Sequence, residues 1–148
     1  MNYHPLRILI VEDEILIALE LESLLQDAGH EVVGIAASFE DAIALSQFRR
    51  PDLAFVDIHL TDGPTGIDVA RSLSGDGVAV LFMTANTKRI PEDRAGAKGV
   101  IAKPYTERGV RQALAYVTAS DENVTKEGRG MTFVPFDGCR SETSARGV

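Results

Sequence analysis

The sequence predicts an α/β fold, a doubly wound five-stranded parallel sheet with helices on both faces. Five short apolar runs, Leu6–Val11, Glu31–Ala36, Leu53–Asp57, Val78–Met83 and Gly99–Ala102, alternate with five stretches of helical character. That alternation implies right-handed βαβ crossovers and a sheet covered on both sides. The runs are apolar almost without interruption, as strands buried on both faces are, rather than alternating apolar with polar.

The first run, Leu6-Arg-Ile-Leu-Ile-Val11, ends abruptly in Glu12-Asp13-Glu14 and reads as a central strand. Ile17, Leu21, Leu24, Leu25 and Ala28 then recur at helical spacing over Ile15–Ala28, with Gly29 placed to stop the helix. After the second strand, Ser38 and Asp41 form a capping arrangement for a helix through about Phe48, its inner face supplied by Phe39, Ala42 and Ile43. Pro51 breaks the chain before the third strand, which stops at Asp57. Beyond the turn Thr61–Gly66, Thr65 is placed to cap a helix over Gly66–Leu73, with Asp68 at its third position and Gly75-Asp76-Gly77 ending it.

The fourth strand, Val78–Met83, stops at Thr84-Ala85-Asn86. The connection to the fifth is only weakly helical, because Pro91, Gly96 and Gly99 punctuate it, and one short helix is expected there. Lys103-Pro104 closes the fifth strand, and Thr106 caps a last helix carrying Val110, Ala113, Leu114 and Val117 on one face. From about Asp121 the pattern is lost. Residues 1–120 are thus expected to form the domain and residues 121–148 a mobile tail, with no output domain. The apolar island Met131–Phe136 is expected either to dock or to pair as an edge strand.

Composition narrows the function. The 148 residues are 45% hydrophobic and 25% charged, ordinary values for one globular domain. A net charge of −7 argues against a nucleic-acid surface, which needs clustered Lys and Arg. Cys139 is the single cysteine, so neither an internal disulfide nor thiolate metal spacing is available and a reducing compartment is expected. No apolar run approaches the ~20 residues needed to span a bilayer, and the first five residues lack a signal-peptide pattern. A cytoplasmic location with no membrane partner is the expectation.

In a parallel sheet of this kind the polar strand ends share one edge, where ligands bind in open α/β folds. That brings together Glu12, Asp13, Asp57, Thr84 and Lys103, which are scattered along the chain. Three converging carboxylates repel one another, so at least one is expected to titrate high, and a hard divalent cation such as Mg2+ would remove the conflict. Lys103 supplies a point charge and Thr84 a hydroxyl donor, while a carboxylate such as Asp57 can act as a nucleophile and form an aspartyl-phosphate. Each residue also has a plainer reading. Asp57 fits a turn cap, the three acids fit a helix's first turn, Lys103 fits a solvated loop charge and Thr84 a strand-end cap. What favours the chemistry is that four separate strand ends carry the residue types that one reaction needs. His59 fits either a ligand or base, or an exposed loop histidine that tunes water access.

These residues resemble a response-regulator receiver domain of bacterial two-component systems, over about Leu6 to Ala119. The motifs that carry the resemblance are Val11-Glu-Asp-Glu14, Phe55-Val-Asp57, Met83-Thr-Ala85 and Ala102-Lys-Pro104. The resemblance implies a flavodoxin-like fold in which Asp57 accepts a phosphoryl group from a sensor histidine kinase, a phosphotransfer protein or a small phosphodonor. It further implies that Glu12, Asp13, Asp57 and the backbone carbonyl of His59 hold Mg2+. Thr84 and Lys103 would bind phosphoryl oxygens, Thr84 swinging inward on activation. Ala85 would keep the site open, with His59 and Asn86 at the positions that adjust dephosphorylation.

Two departures from that family's pattern bear on output. Val100 stands where the family usually has an aromatic switch residue, three positions before the lysine, and Tyr105 does not occupy that place. The Pro91 segment is also short for the helix that often forms the output face. Receiver subfamilies with a modified fourth strand and no switch aromatic resemble this chain, and they work with a particular class of sensor kinase in alphaproteobacteria.

The implied function is a phosphorylation-dependent signalling switch. It would act through protein–protein contacts with a downstream protein, or as a phosphate sink, and not as an enzyme on other substrates. A constitutive docking domain is one alternative. An aspartate-nucleophile phosphatase is another, although such enzymes usually carry a second Asp where this chain has His59. A flavin site is disfavoured because Glu12-Asp13-Glu14 would repel a phosphate there.

Overall fold

The computed structural model describes residues 5–118 and 133–136. Five parallel strands form the expected sheet: β1 (Arg7–Val11), β2 (Glu31–Ala36), β3 (Leu53–Asp57), β4 (Ala79–Thr84) and β5 (Gly99–Ala102). A sixth, β6 (Phe133–Pro135), pairs antiparallel to β5, giving the order β2-β1-β3-β4-β5-β6. All five expected parallel strands are present, and one antiparallel edge strand is added to them by the apolar island, the second of the two expectations for that segment. The remaining residues of the expected mobile tail lie outside the described residues.

Alternation along the strands explains the unbroken apolar runs. Leu9, Val11, Ala54, Val56, Val80 and Phe82 point to one face, where they meet Ala42 of α2 (Phe39–Arg49) and Val69, Ala70 and Leu73 of α3 (Gly66–Gly75). Ile8, Ile10, Phe55, Leu81 and Met83 point to the other, against Ala18, Leu21 and Leu25 of α1 (Ile15–Asp27) and Val110, Ala113 and Leu114 of α4 (Glu107–Thr118). Successive side chains leave a strand on opposite sides, so a strand covered twice must be apolar at every position.

The helix ends follow local chemistry. The Ser38 side chain accepts from the Asp41 N–H at 3.2 Å, and that of Thr106 from the Gly109 N–H at 3.0 Å, as expected of caps. Gly29 has φ 94°, the left-handed conformation that stops α1. Thr65 departs from expectation. Its hydroxyl bonds Asp62, so it gives α3 no side-chain cap, and Thr65 itself already has helical backbone angles. The helix entry is held instead by the Gly66 N–H on the Ile58 carbonyl at 2.9 Å.

Between β4 and β5 the expected short helix is replaced by two 3-10 turns, Thr87–Arg89 and Arg94–Gly96. Arg94 and Ala95 take positive φ, 58° and 50°, followed by Gly96 at 80°. Three such residues in succession cannot continue an α-helix. Among the described residues no helix is long and apolar enough to cross a membrane.

Candidate functional site

The C-terminal ends of β1, β3, β4 and β5 present Glu12-Asp13, Asp57, Thr84 and Lys103 along one edge of the sheet. Oxygens of Glu12, Asp13 and Asp57 lie within 4.8 Å of one another. Lys103 Nζ donates to Glu12 Oε1 at 2.9 Å and to Asp57 Oδ2 at 3.0 Å. Side-chain exposure is 0% for Glu12, 11% for Asp57 and 16% for Lys103, so this bridge is largely screened from water.

Backbone donors hold the two carboxylates from the other side. The Glu14 N–H reaches Glu12 Oε2 at 3.2 Å, and the His59 N–H reaches Asp57 Oδ1 at 3.3 Å. The Lys103 N–H bonds the Thr84 carbonyl at 2.9 Å, tying the end of β5 to that of β4. The Lys103–Pro104 peptide is cis.

Burial, reinforced by the charge of Asp57, pushes the Glu12 carboxyl up from 4.5 to about 7, although the Lys103 ammonium and the Glu14 N–H pull the other way. The repulsion expected from the sequence is therefore present but ranks behind desolvation. For Lys103, burial alone would lower the pKa, and the hydrogen bonds and charges of Glu12 and Asp57 outweigh it and raise it. Tyr105, whose hydroxyl donates to the Ile17 carbonyl at 2.8 Å, is raised by burial and by the charges of Glu20 and Glu12.

One ammonium faces three carboxyl groups, and burial makes that shortage of positive charge costly for Glu12. A compact set of hard oxygen donors with unneutralised charge fits Mg2+, which is usually held by one or two carboxylates plus phosphate oxygens. A pH dependence follows for the metal-free protein. Because the native Glu12 pKa lies above its unfolded value, the native state binds more protons between about pH 4.5 and 7. The Glu12 contribution to stability is thus fully present below about 4.5 and is lost as pH rises through about 7, at up to about 1.4 kcal/mol per pH unit. Urea unfolding of wild type and Glu12→Gln at pH 5 and 7 should show wild type losing more stability than the variant, and Mg2+ should reduce that loss. Parallel behaviour of the two proteins would contradict it.

The remaining expected residues occupy the same edge with different engagements. Thr84 is buried, and its hydroxyl donates to the Asn86 carbonyl at 3.3 Å and accepts from the Asn86 N–H at 3.0 Å. The His59 side chain is exposed, as the loop reading expected, and Ala85 and Asn86 are exposed in the loop after β4. Val100 is buried on β5 and pairs in register with Val134.

Two features escaped sequence reasoning. Arg89 Nη1 contacts His59 Nε2 at 3.2 Å, a pairing across 30 positions that no local pattern announces. Gly66 packs against the end of β3, since a Cβ built on it would fall 2.0 Å from the Asp57 carbonyl oxygen. Its only signal was a glycine beginning a helix where a better helix former would otherwise be favoured.

Residues 8–115 match the response regulator receiver domain family. The chain is similar to the Phyllosphere-induced regulator PhyR of Methylorubrum extorquens, 38% identical over 111 residues that make up 73% of this chain and 42% of that protein. It is also similar to the transcriptional regulatory protein PdtaR of Mycobacterium tuberculosis, 30% identical over 82% of this chain and 60% of the relative. The solution structure of the PhyR response regulator REC domain of Erythrobacter litoralis superposes with a TM-score of 0.72 at 34% identity, covering 77% of this chain and 90% of that one. The chain thus spans about half the length of the curated relatives it matches.

Proposed function

The chain belongs to the response regulator receiver domain family, and from that premise we propose that it is a phosphorylation-dependent signalling switch whose Asp57 accepts a phosphoryl group. The observation that carries this reading is the Lys103 ammonium bridging the buried carboxylates of Glu12 and Asp57 at the ends of three separate strands.

The Asp57 carboxylate attacks phosphorus, the bond to the donor's leaving atom breaks, and an acyl phosphate forms on Asp57. Lys103, already hydrogen-bonded to the acceptor, is placed to follow the negative charge onto a phosphoryl oxygen, and Thr84 to donate to another. Glu12, Asp13, Asp57 and the His59 backbone carbonyl would hold Mg2+, which supplies charge neutralisation to the transferring group.

The donor we propose is a sensor histidine kinase or phosphotransfer protein. Ile15, Leu16 and Leu19 are exposed on the first turns of α1, immediately after the acidic residues, and offer apolar anchors where a donor must approach. Output passes to a downstream protein by contact, or the domain drains phosphoryl groups as a sink.

A second reading, a constitutive docking domain, draws on Val100, which is buried and paired with Val134 where the family usually has an aromatic switch residue. One experiment separates the two. The chain is incubated with a small phosphodonor and Mg2+ and its intact mass is followed. One phosphoryl addition is expected, and chelation of the metal should slow it at least about a hundredfold, since a bound metal contributes several kcal/mol to such charge stabilisation. Failure of wild type to gain mass with a small donor or a kinase would hand the case to docking.

A further inference from the structure

The Thr84 hydroxyl has one hydrogen, and the Asn86 carbonyl takes it. To donate to a phosphoryl oxygen Thr84 must release that carbonyl, which then loses one of its donors. The same Asn86 carbonyl also accepts the Arg89 N–H at 3.1 Å, and the Asn86 side chain accepts the Lys88 N–H at 3.0 Å. Thr84 and the turn Thr87–Arg89 are therefore joined through one residue.

The far end of that turn is tied down. Arg89 Nη1 lies 3.2 Å from His59 Nε2. A guanidinium only donates, so the contact is a hydrogen bond when Nε2 carries the ring's lone pair. His59 in turn gives its backbone N–H to Asp57 Oδ1. A continuous set of contacts thus runs from the acceptor carboxylate through His59 and Arg89 to Asn86 and Thr84.

We propose that Arg89 is a positioning residue, a latch that binds the loop after β4 to the loop after β3 through His59 Nε2 and holds the Thr84 hydroxyl in its resting engagement. The latch rests on the phosphoryl-acceptor reading of Asp57, because its effect is on the cost of recruiting Thr84. Both side chains are exposed, so water competes for the contact and its influence is modest.

Beryllofluoride with Mg2+ serves as the probe, because it mimics the phosphoryl group without a donor. Arg89→Ala and His59→Ala should each bind it about two- to five-fold more tightly than wild type, the scale of one exposed hydrogen bond. Arg89→Lys, which retains a donor, should stay near wild type. The double variant should bind no more tightly than either single one, because both substitutions remove the same contact. Unchanged or weaker binding by Arg89→Ala, or additive effects in the double variant, would overturn the latch. Hydrogen exchange of the Asn86 amide supplies a readout that needs no phosphoryl chemistry, and it should quicken several-fold in Arg89→Ala and not in Arg89→Lys. If wild type fails to bind beryllofluoride the acceptor reading falls, while the exchange comparison still decides whether Arg89 restrains the loop.

Discussion

Asp57→Asn is expected to abolish phosphoryl uptake, with a loss of at least about four orders of magnitude, because an amide oxygen lacks the negative charge that makes a carboxylate a nucleophile. The change is nearly isosteric. The His59 N–H can still donate to an Asn oxygen, and Lys103 keeps its bond to Glu12 at 2.9 Å. Removing the Asp57 charge also removes one of the causes that raise Glu12. The variant should therefore unfold within about 1–2 kcal/mol of wild type, a change typical of a point substitution. Intact-mass analysis reads the first expectation and urea unfolding the second. Asp13 lies in the same cluster. A variant that still gains one phosphoryl, on Asp13 or elsewhere, would remove Asp57 from its assigned role.

Gly66→Ala should have the largest effect on stability, a loss of at least about 3 kcal/mol, in the range of severe steric insertions. The added Cβ would lie 2.0 Å from the Asp57 carbonyl oxygen and 2.7 Å from Ile58 Cα. Both are backbone atoms, so no flexible side chain can swing aside. The Gly66 N–H also bonds the Ile58 carbonyl at 2.9 Å, so the start of α3 cannot retreat without losing that contact. Relaxation would have to move the strand end that carries Asp57, and uptake by the folded fraction should fall with stability.

Gly75→Ala provides the control. It lies in the same helix, and a Cβ added there would meet nothing within 4 Å, so it should be neutral or stabilising by up to about 1 kcal/mol. Urea midpoints for the two variants compare these directly. A Gly66→Ala protein within about 1 kcal/mol of wild type would show that the helix start yields more easily than its contacts imply.

Much of the fold was legible because burial on two faces leaves a strong mark. Ile8 and Leu9, or Ala54 and Phe55, alternate between opposite layers, and that requires a strand apolar throughout. The site was legible for a related reason. A sheet interrupted at its C-terminal edge by Glu12, Asp57, Thr84 and Lys103 leaves those residues few places to be except together.

What remained hidden depends on distance or on competition between equal local choices. Thr65 looked like a cap, but its hydroxyl found Asp62 three residues back, an option as available in sequence as the helix amide. The island ending at Phe136 carried apolar character with no address. Its partner is the edge of β5, where tertiary contacts such as Phe133 against Tyr116, with ring centroids 5.5 Å apart, and Arg94 over the Phe136 ring hold it. The segment between β4 and β5 showed punctuation at Pro91 and Gly96, yet the positive φ of Arg94 and Ala95 had no signal, since neither residue favours that conformation.

The pairing of β6 also bears on how these domains behave when crowded. The Phe136 N–H bonds the Lys98 carbonyl at 2.9 Å, so along an antiparallel ladder the neighbouring Pro135 turns its nitrogen away from β5. Proline has no hydrogen to offer there, and the outer rim of β6 is interrupted where another sheet would look for a donor. Among the described residues β6 is the outermost strand on that side, so three residues ending in proline cover β5 and offer a second sheet fewer donors to pair with than β5 itself would.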